Sequence, residues 1–147
     1  MTILQLRFEA SGRDGRGNSW RIHWRENPTE LEILDAVERC RTGTGSADLE
    51  HVEGENEDKP SLALQADHGR YLLLLRDGDE FEGGGSIRSL INPNPVADPD
   101  APDGWAYFFG EPFSARSIVT DFDRVLQAFQ EFARTGNVSI KLMSYDY

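Results

Sequence analysis

Ser61-Leu62-Ala63-Leu64-Gln65-Ala66-Asp67-His68-Gly69-Arg70-Tyr71-Leu72-Leu73-Leu74-Leu75 is the stretch that decides the fold. Leu62, Leu64 and Ala66 recur at every second position, the period of a strand that buries one face. Asp67-His68-Gly69-Arg70 supplies turn chemistry. The unbroken apolar run from Tyr71 to Leu75 suits a strand covered on both faces. The stretch therefore reads as a β-hairpin whose second strand lies inside a sheet.

Toward the C-terminus, Asp77 to Gly85 reads as an acidic, flexible loop and Ser86 to Ile91 as a strand, stopped by Asn92-Pro93-Asn94-Pro95, whose prolines cannot donate to a ladder. Val96 to Gly104 is a turn-rich loop carrying Asp98, Asp100 and Asp103. Trp105, Tyr107 and Phe109 then alternate with Ala106 and Phe108 in an aromatic strand ending at Gly110-Glu111-Pro112. Thr120 or Asp121 can cap a helix that carries Phe122, Val125, Leu126, Phe129, Phe132 and Ala133 on one stripe and closes at Gly136. Val138, Ile140 and Leu142 alternate as an expected last strand.

Toward the N-terminus, Leu4, Leu6 and Phe8 pair by pattern with Trp20, Ile22 and Trp24 across a glycine-rich loop, Ser11 to Asn18. Pro28-Thr29 opens a helix in which Thr29 caps, Glu32 completes a capping box, and Leu31, Leu34, Val37 and Cys40 follow at helical spacing. Its end is expected near Arg41-Thr42-Gly43. From Thr44 to Pro60 the chain is polar and acidic and reads as a long exposed connection, with a short strand near Leu49 to Val52. The expectation is one α+β domain over residues 1–147. It has an antiparallel or mixed sheet of about six or seven strands, and helices at roughly 29–41 and 121–135 packed on one face.

Composition narrows the function classes. The 147 residues carry a net charge of −11, and five arginines against Glu9 and Asp14 leave residues 1–25 at +3, so the remainder holds −14. Tight binding to exposed nucleic acid is not expected, because that affinity comes from lysines and arginines neutralising phosphates. The longest apolar run is Tyr71 to Leu75, far short of the ~20 residues that span a bilayer, so no membrane partner is expected. The N-terminus has neither the basic start nor the apolar length of a signal peptide, and the expected location is the cytoplasm. The lone Cys40 reads as a small buried hydrophobe with no adjacent histidine to activate it.

Chemistry-bearing motifs are weak. His23, His51 and His68 are widely spaced in different elements, so no zinc site is expected. Asp77-x-Asp79 fails the calcium-loop pattern because Phe81 stands where a third acidic ligand belongs. Gly12, Gly15 and Gly17, and Gly83-Gly84-Gly85, match no phosphate-cradling spacing and read as hairpin tips. No serine sits in a nucleophile elbow. The chain is therefore expected to be no enzyme and to use no cofactor and no metal.

The order of features from Gly69-Arg70-Tyr71-Leu72-Leu73-Leu74-Leu75 onward carries a resemblance. Asn92-Pro93-Asn94, Gly110-Glu111-Pro112, Ser114-Ala115-Arg116, Asp121-Phe122-Asp123-Arg124-Val125 and Phe129-Gln130-Glu131-Phe132-Ala133-Arg134-Thr135-Gly136-Asn137-Val138-Ser139 follow in turn. The pattern resembles an uncharacterised bacterial domain family. That family is similar to the immunity proteins of polymorphic toxin systems, including those protecting against DNA deaminase toxins. The resemblance implies a protein that binds a cognate toxin and covers its active site.

The candidate contact residues are carboxylates in two acidic segments, Asp48, Glu50, Glu53, Glu55, Glu57 and Asp58, then Asp77, Asp79, Glu80 and Glu82, and a third acidic segment, Asp98 to Asp103, is expected to join them if the fold gathers all three. Gathered on one face, they would steer a partner with a basic cleft. The alternative expectation is a regulatory or structural interaction domain with no toxin partner. Sequence alone leaves the oligomeric state unknown.

Overall fold

The structure, a computed structural model, describes residues 5–52, 60–81 and 84–144, and for residues 77–81 and 84–86 the backbone alone. In chain order the elements are β1 (Leu6–Arg13), β2 (Ser19–Glu26), α1 (Glu30–Glu38), β3 (Thr44–His51), β4 (Ser61–Asp67), β5 (Arg70–Phe81) and β6 (Gly84–Ser89). There follow β7 (Trp105–Phe108), β8 (Glu111–Ser114), a single 3-10 turn, β9 (Ile118–Val119) and α2 (Phe122–Thr135). Among the described residues, seven strands form one sheet in the order β2-β1-β3-β4-β5-β6, with β9 beside β5, and β7 pairs only with β8. Every pairing is antiparallel, and with two helices the fold is α+β.

The period-2 pattern becomes rows of side chains running across the sheet. Phe8, Leu49, Leu62 and Leu75 are neighbours in successive strands, as are Ala10, Ala47, Leu64 and Leu73. All eight are buried, and full burial of a side chain the size of leucine or phenylalanine stabilises by about 2 kcal/mol. Ile33, Ala36 and Val37 of α1 and Val125, Ala128, Phe129 and Phe132 of α2 close this core from the same side. The two helices are tied at both ends. Arg134 reaches Glu30 at 2.6 Å, and Arg41 reaches Glu38 at 2.6 Å and Asp123 at 3.4 Å.

Local signals account for the helix boundaries. Thr29 accepts from the Glu32 amide while the Glu32 carboxylate accepts from the Thr29 amide, which completes the expected capping box. Asp121 caps α2 and Gly136 ends it at φ 77°. The opposite face of β5 is covered too, since Leu72 and Leu74 pack on Ala106, Phe108, Ala115 and Ile118. This explains why the run from Tyr71 to Leu75 does not alternate.

The third row of the sheet is Gly12, Gly45, Ala66 and Tyr71, and its small members let the strands meet beneath Trp20 and Cys40. A Cβ on Gly12 would lie 2.3 Å from the Thr44 carbonyl oxygen and 2.8 Å from the Gly45 Cα. Cys40 is wholly buried, and burial pushes its thiol up to about 12.

Four expectations are corrected. The short strand expected near Leu49 to Val52 begins earlier: Thr44 to His51 forms a full strand between β1 and β4 rather than an exposed connection, with Ala47 and Leu49 buried. Asp77 to Gly85 is not simply a loop, because β5 runs on to Phe81 and β6 starts at Gly84. Gly12 lies within β1 rather than at a hairpin tip.

Val138, Ile140 and Leu142 form no strand. Leu142 and Met143 both donate backbone bonds to the Ser139 carbonyl, so the segment turns, and it joins the sheet only where Ser144 bridges Ser89. The buried Arg88 guanidinium donates to the carbonyls of Val138 at 2.9 Å and Met143 at 3.4 Å and to Asn137 Oδ1 at 2.7 Å.

Candidate protein-binding surface

The outer face of the sheet, away from the helices, follows from the same alternation. Arg7, Glu50, Ser61 and Arg76 make one cross-strand row, and Glu9, Asp48, Ala63 and Leu74 the next. Opposite charges face each other here, with Arg7 3.7 Å from Glu50 and Arg21 3.8 Å from Glu9. Arg7 also lies over the Trp24 ring at 4.8 Å, a cation–π contact. Asp48 lies between Glu9 and Ala63 in its row. Its side chain keeps access to water, yet desolvation by the surrounding sheet, with Glu9 and Glu50 beside it, holds its carboxyl above the ordinary carboxylate range.

Of the ten candidate contact residues, Asp48 and Glu50 stand on β3, facing outward at its C-terminal half. Asp77, Asp79 and Glu80 belong to β5, where the backbone alone is described. Glu53, Glu55, Glu57, Asp58 and Glu82 lie outside the described residues.

The pairing register nevertheless relates the two acidic segments. Glu50 is opposite Ser61, Ser61 opposite Arg76, and Arg76 opposite Ile87. The C-terminal end of β3, the N-terminal end of β4, the C-terminal end of β5 and the N-terminal end of β6 therefore share one end of the sheet. Beyond Arg76, β5 runs on beside β6 alone, an extension of about 15 Å at the usual strand rise. The third acidic segment is elsewhere. Asp98 accepts from the Tyr107 amide at 2.7 Å, and Arg70, at the opposite end of β5, donates to the Tyr107 carbonyl at 3.0 Å.

Sequence reading did not anticipate the arginines that neutralise part of this surface. Arg7 and Glu9 alternate with Leu6 and Phe8 and so had to face outward, but which carboxylates they meet depends on β3 being their neighbour, and of β3 the pattern signals only a short strand near Leu49 to Val52. A shallow groove of about 500 Å³ lies beside Arg13, Trp20, Arg21 and Thr44, and none of its lining residues is a carboxylate or a histidine. No three His, Cys, Asp or Glu side chains gather as a metal site would need among the described residues. No helix among them is long and apolar enough to cross a membrane.

The architecture is similar to that in the crystal structure of a hypothetical protein from Neisseria gonorrhoeae, with a TM-score of 0.65 over 95% of this chain and 93% of that one. At 16% identity this likeness speaks for the fold alone. No curated protein matches the sequence. The model of a family of unknown function (DUF6911) matches residues 7–142, and the chain belongs to that family.

Proposed function

We propose that this chain is a protein-binding domain of the immunity type, which neutralises a cognate toxin by seating the acidic end of its sheet over a basic active-site cleft. One observation carries the reading. The strand register brings the segment that begins at Asp48 and the segment that begins at Asp77 to the same end of one sheet. Ten candidate carboxylates thus belong to two stretches of chain that leave or cross one boundary.

Physical reasoning supports the use of such an end as an inhibitor. An antiparallel sheet backed by two helices is stiff, so little ordering entropy opposes docking. Concentrated negative charge accelerates encounter with a positive cleft and disfavours acidic partners. An inhibitor that works by covering a site needs no catalytic group of its own. The resemblance running from Gly69 to Ser139 points the same way.

Co-expression with the product of the neighbouring gene tests the proposal. The expected result is a complex that co-purifies, and protection of growth when that product is toxic. At about 0.15 M salt, where long-range repulsion is screened, the triple reversal E53K/E55K/E57K should lower affinity at least tenfold with little change in the melting temperature. A complex with a basic protein that is not toxic would favour a regulatory interaction domain instead. Neither complex nor protection would sink the toxin reading.

A further inference from the structure

The β7–β8 hairpin presents its largest side chains to water. Trp105, Tyr107 and Phe109 are 43%, 40% and 54% exposed, while Ala106 and Phe108 between them are buried against Leu72. Trp105 and Tyr107 share the outward face, with Pro112 paired beside Tyr107, and Phe109 stands at the tip. The exposed aromatic surface is on the order of 300 Å².

The tip is held in an unusual way. Phe109 and Gly110 connect the strands with φ of 49° and 79°, both positive, as a type I′ turn requires. That turn favours asparagine or glycine at its first position. The β4–β5 hairpin uses the same turn with His68 at φ 47° and Gly69 at φ 86°, and histidine enters the left-handed region more readily than a phenylalanine does. Phe109 therefore occupies a conformation its side chain disfavours, and although its ring meets the Phe108 ring edge-on at 4.9 Å, the residue stays more than half exposed. Strain of this kind is retained where a side chain is needed at that place.

The edge of β7 is closed. Asp98 donates its amide to the Trp105 carbonyl at 3.0 Å and accepts from the Tyr107 amide, and Arg70 holds the Tyr107 carbonyl. A partner strand cannot add there, so the aromatic face is what remains to be read. Its electrostatics select the occupant. Between Arg88 and Arg116 the chain has no lysine or arginine, but it has Asp98, Asp100, Asp103 and Glu111, while the Arg70 guanidinium that reaches the hairpin is engaged by the Tyr107 carbonyl and lies 5.5 Å from the buried Phe108 ring. Carboxylates around aromatic faces repel phosphates and attract guanidinium groups, which also stack on such rings. The patch is too small for a second copy, which would need about 800 Å² from each partner.

We infer that the outward face of the β7–β8 hairpin, built on Trp105, Tyr107 and Phe109, is a docking site for an arginine-bearing segment of a partner protein. This site is separate from the acidic strand end and does not depend on the toxin reading. The test titrates the isotopically labelled full chain with a synthetic peptide alternating glycine and arginine, its glutamate counterpart, and phosphatidylglycerol vesicles. The arginine peptide should shift the amides of Trp105 to Glu111 and the Trp105 indole, and the glutamate peptide should not. Phe109→Asn, which suits the turn, should weaken binding about tenfold with an equal or higher melting temperature, and Trp105→Thr should weaken it similarly. E53K/E55K/E57K should leave it intact. Arginine-peptide shifts confined to β3, unchanged affinity in both hairpin variants, or hairpin shifts produced by the vesicles alone would overturn the inference.

Discussion

At the scale of single residues, Gly12 lies where a Cβ would meet main-chain atoms of Thr44 and Gly45 at 2.3 and 2.8 Å. Neither atom can swing aside as a side chain would. Gly12→Ala should therefore cost about 2 kcal/mol or more through forced strand separation. Gly17→Ala, with nothing within 4 Å but φ at 84°, should cost only about 1 kcal/mol from backbone strain. Urea unfolding of both variants separates the two causes. Sequence reading grouped Gly12 with the turn glycines because glycine near a hairpin usually marks its tip, and close contact with a strand distant in sequence leaves no local trace. Asp48 supports a pH-dependent prediction. Its folded-state carboxyl is raised, mainly by desolvation and then by Glu9 and Glu50, so the native state takes up that proton more readily than the unfolded chain does. Its ionised form therefore opposes folding at neutral pH, and the penalty fades as pH falls through the raised value toward the ordinary 3.8. Asp48→Asn should raise stability at pH 7 by under about 1 kcal/mol, since water still reaches the group. Thermal melts of both proteins should converge in acid, and a gap that widened there would contradict this assignment.

At the scale of elements, legibility tracked how much of the signal was local. Both helices carried their caps in sequence, at Thr29 with Glu32 and at Asp121 with Gly136, and the structure uses each one. The β4–β5 hairpin was equally legible, because its apolar rows and its turn are contiguous. β3 was not, since Thr44-Gly45-Ser46-Ala47-Asp48-Leu49-Glu50-His51 offers only Ala47 and Leu49 to the core and gains its place from strands on both sides. The alternation at Val138, Ile140 and Leu142 misled in the other direction. Val138 and Met143 are the buried members while Ile140 is 61% exposed, and the spacing of the buried pair belongs to a turn. What fixes that turn is Arg88 on β6, whose guanidinium takes the carbonyls a strand would have offered to a neighbour. Arg88→Met keeps much of the volume but removes the donors to three buried or half-buried acceptors, and should cost about 2–4 kcal/mol. Hydrogen exchange should show Ser89 and Ser144, which bond each other's carbonyls at 2.9 and 3.0 Å, losing protection before β4 and β5 do. Uniform loss across the sheet would mean that Arg88 supports the core rather than the tail.

At the scale of the whole molecule, pattern specified which side chains face inward but not which strands are neighbours, so strand order, and with it the convergence of the acidic segments, could not be read before the register was known. The register also sets two kinds of electrostatic interaction against each other. Arg7–Glu50, Arg21–Glu9, Arg25–Glu32 and Arg134–Glu30 are attractive and local, and exposed pairs of this kind contribute under about 1 kcal/mol each. Against them stands a net charge of −11, which the compact state confines within a radius of gyration of roughly 15 Å. At about 0.01 M salt the screening length is ~30 Å, longer than that radius, so each carboxylate feels most of the others. At about 0.15 M the length is ~8 Å and only close pairs remain. Adding salt therefore relieves repulsion over the whole molecule while weakening a few pairs that were worth little. The melting temperature should rise by about 2–4 °C across that range, as expected for about 1 kcal/mol in a chain of this size. In E53K/E55K/E57K, whose net charge falls to −5 because each reversal adds two units to the original −11, the rise should shrink by roughly four-fifths, since self-repulsion goes with the square of the net charge. A melting temperature that fell with salt in the unmodified chain would show that the local pairs outweigh the net charge. The acidic end would then be a stabilised platform rather than a repulsive one relieved by a basic partner.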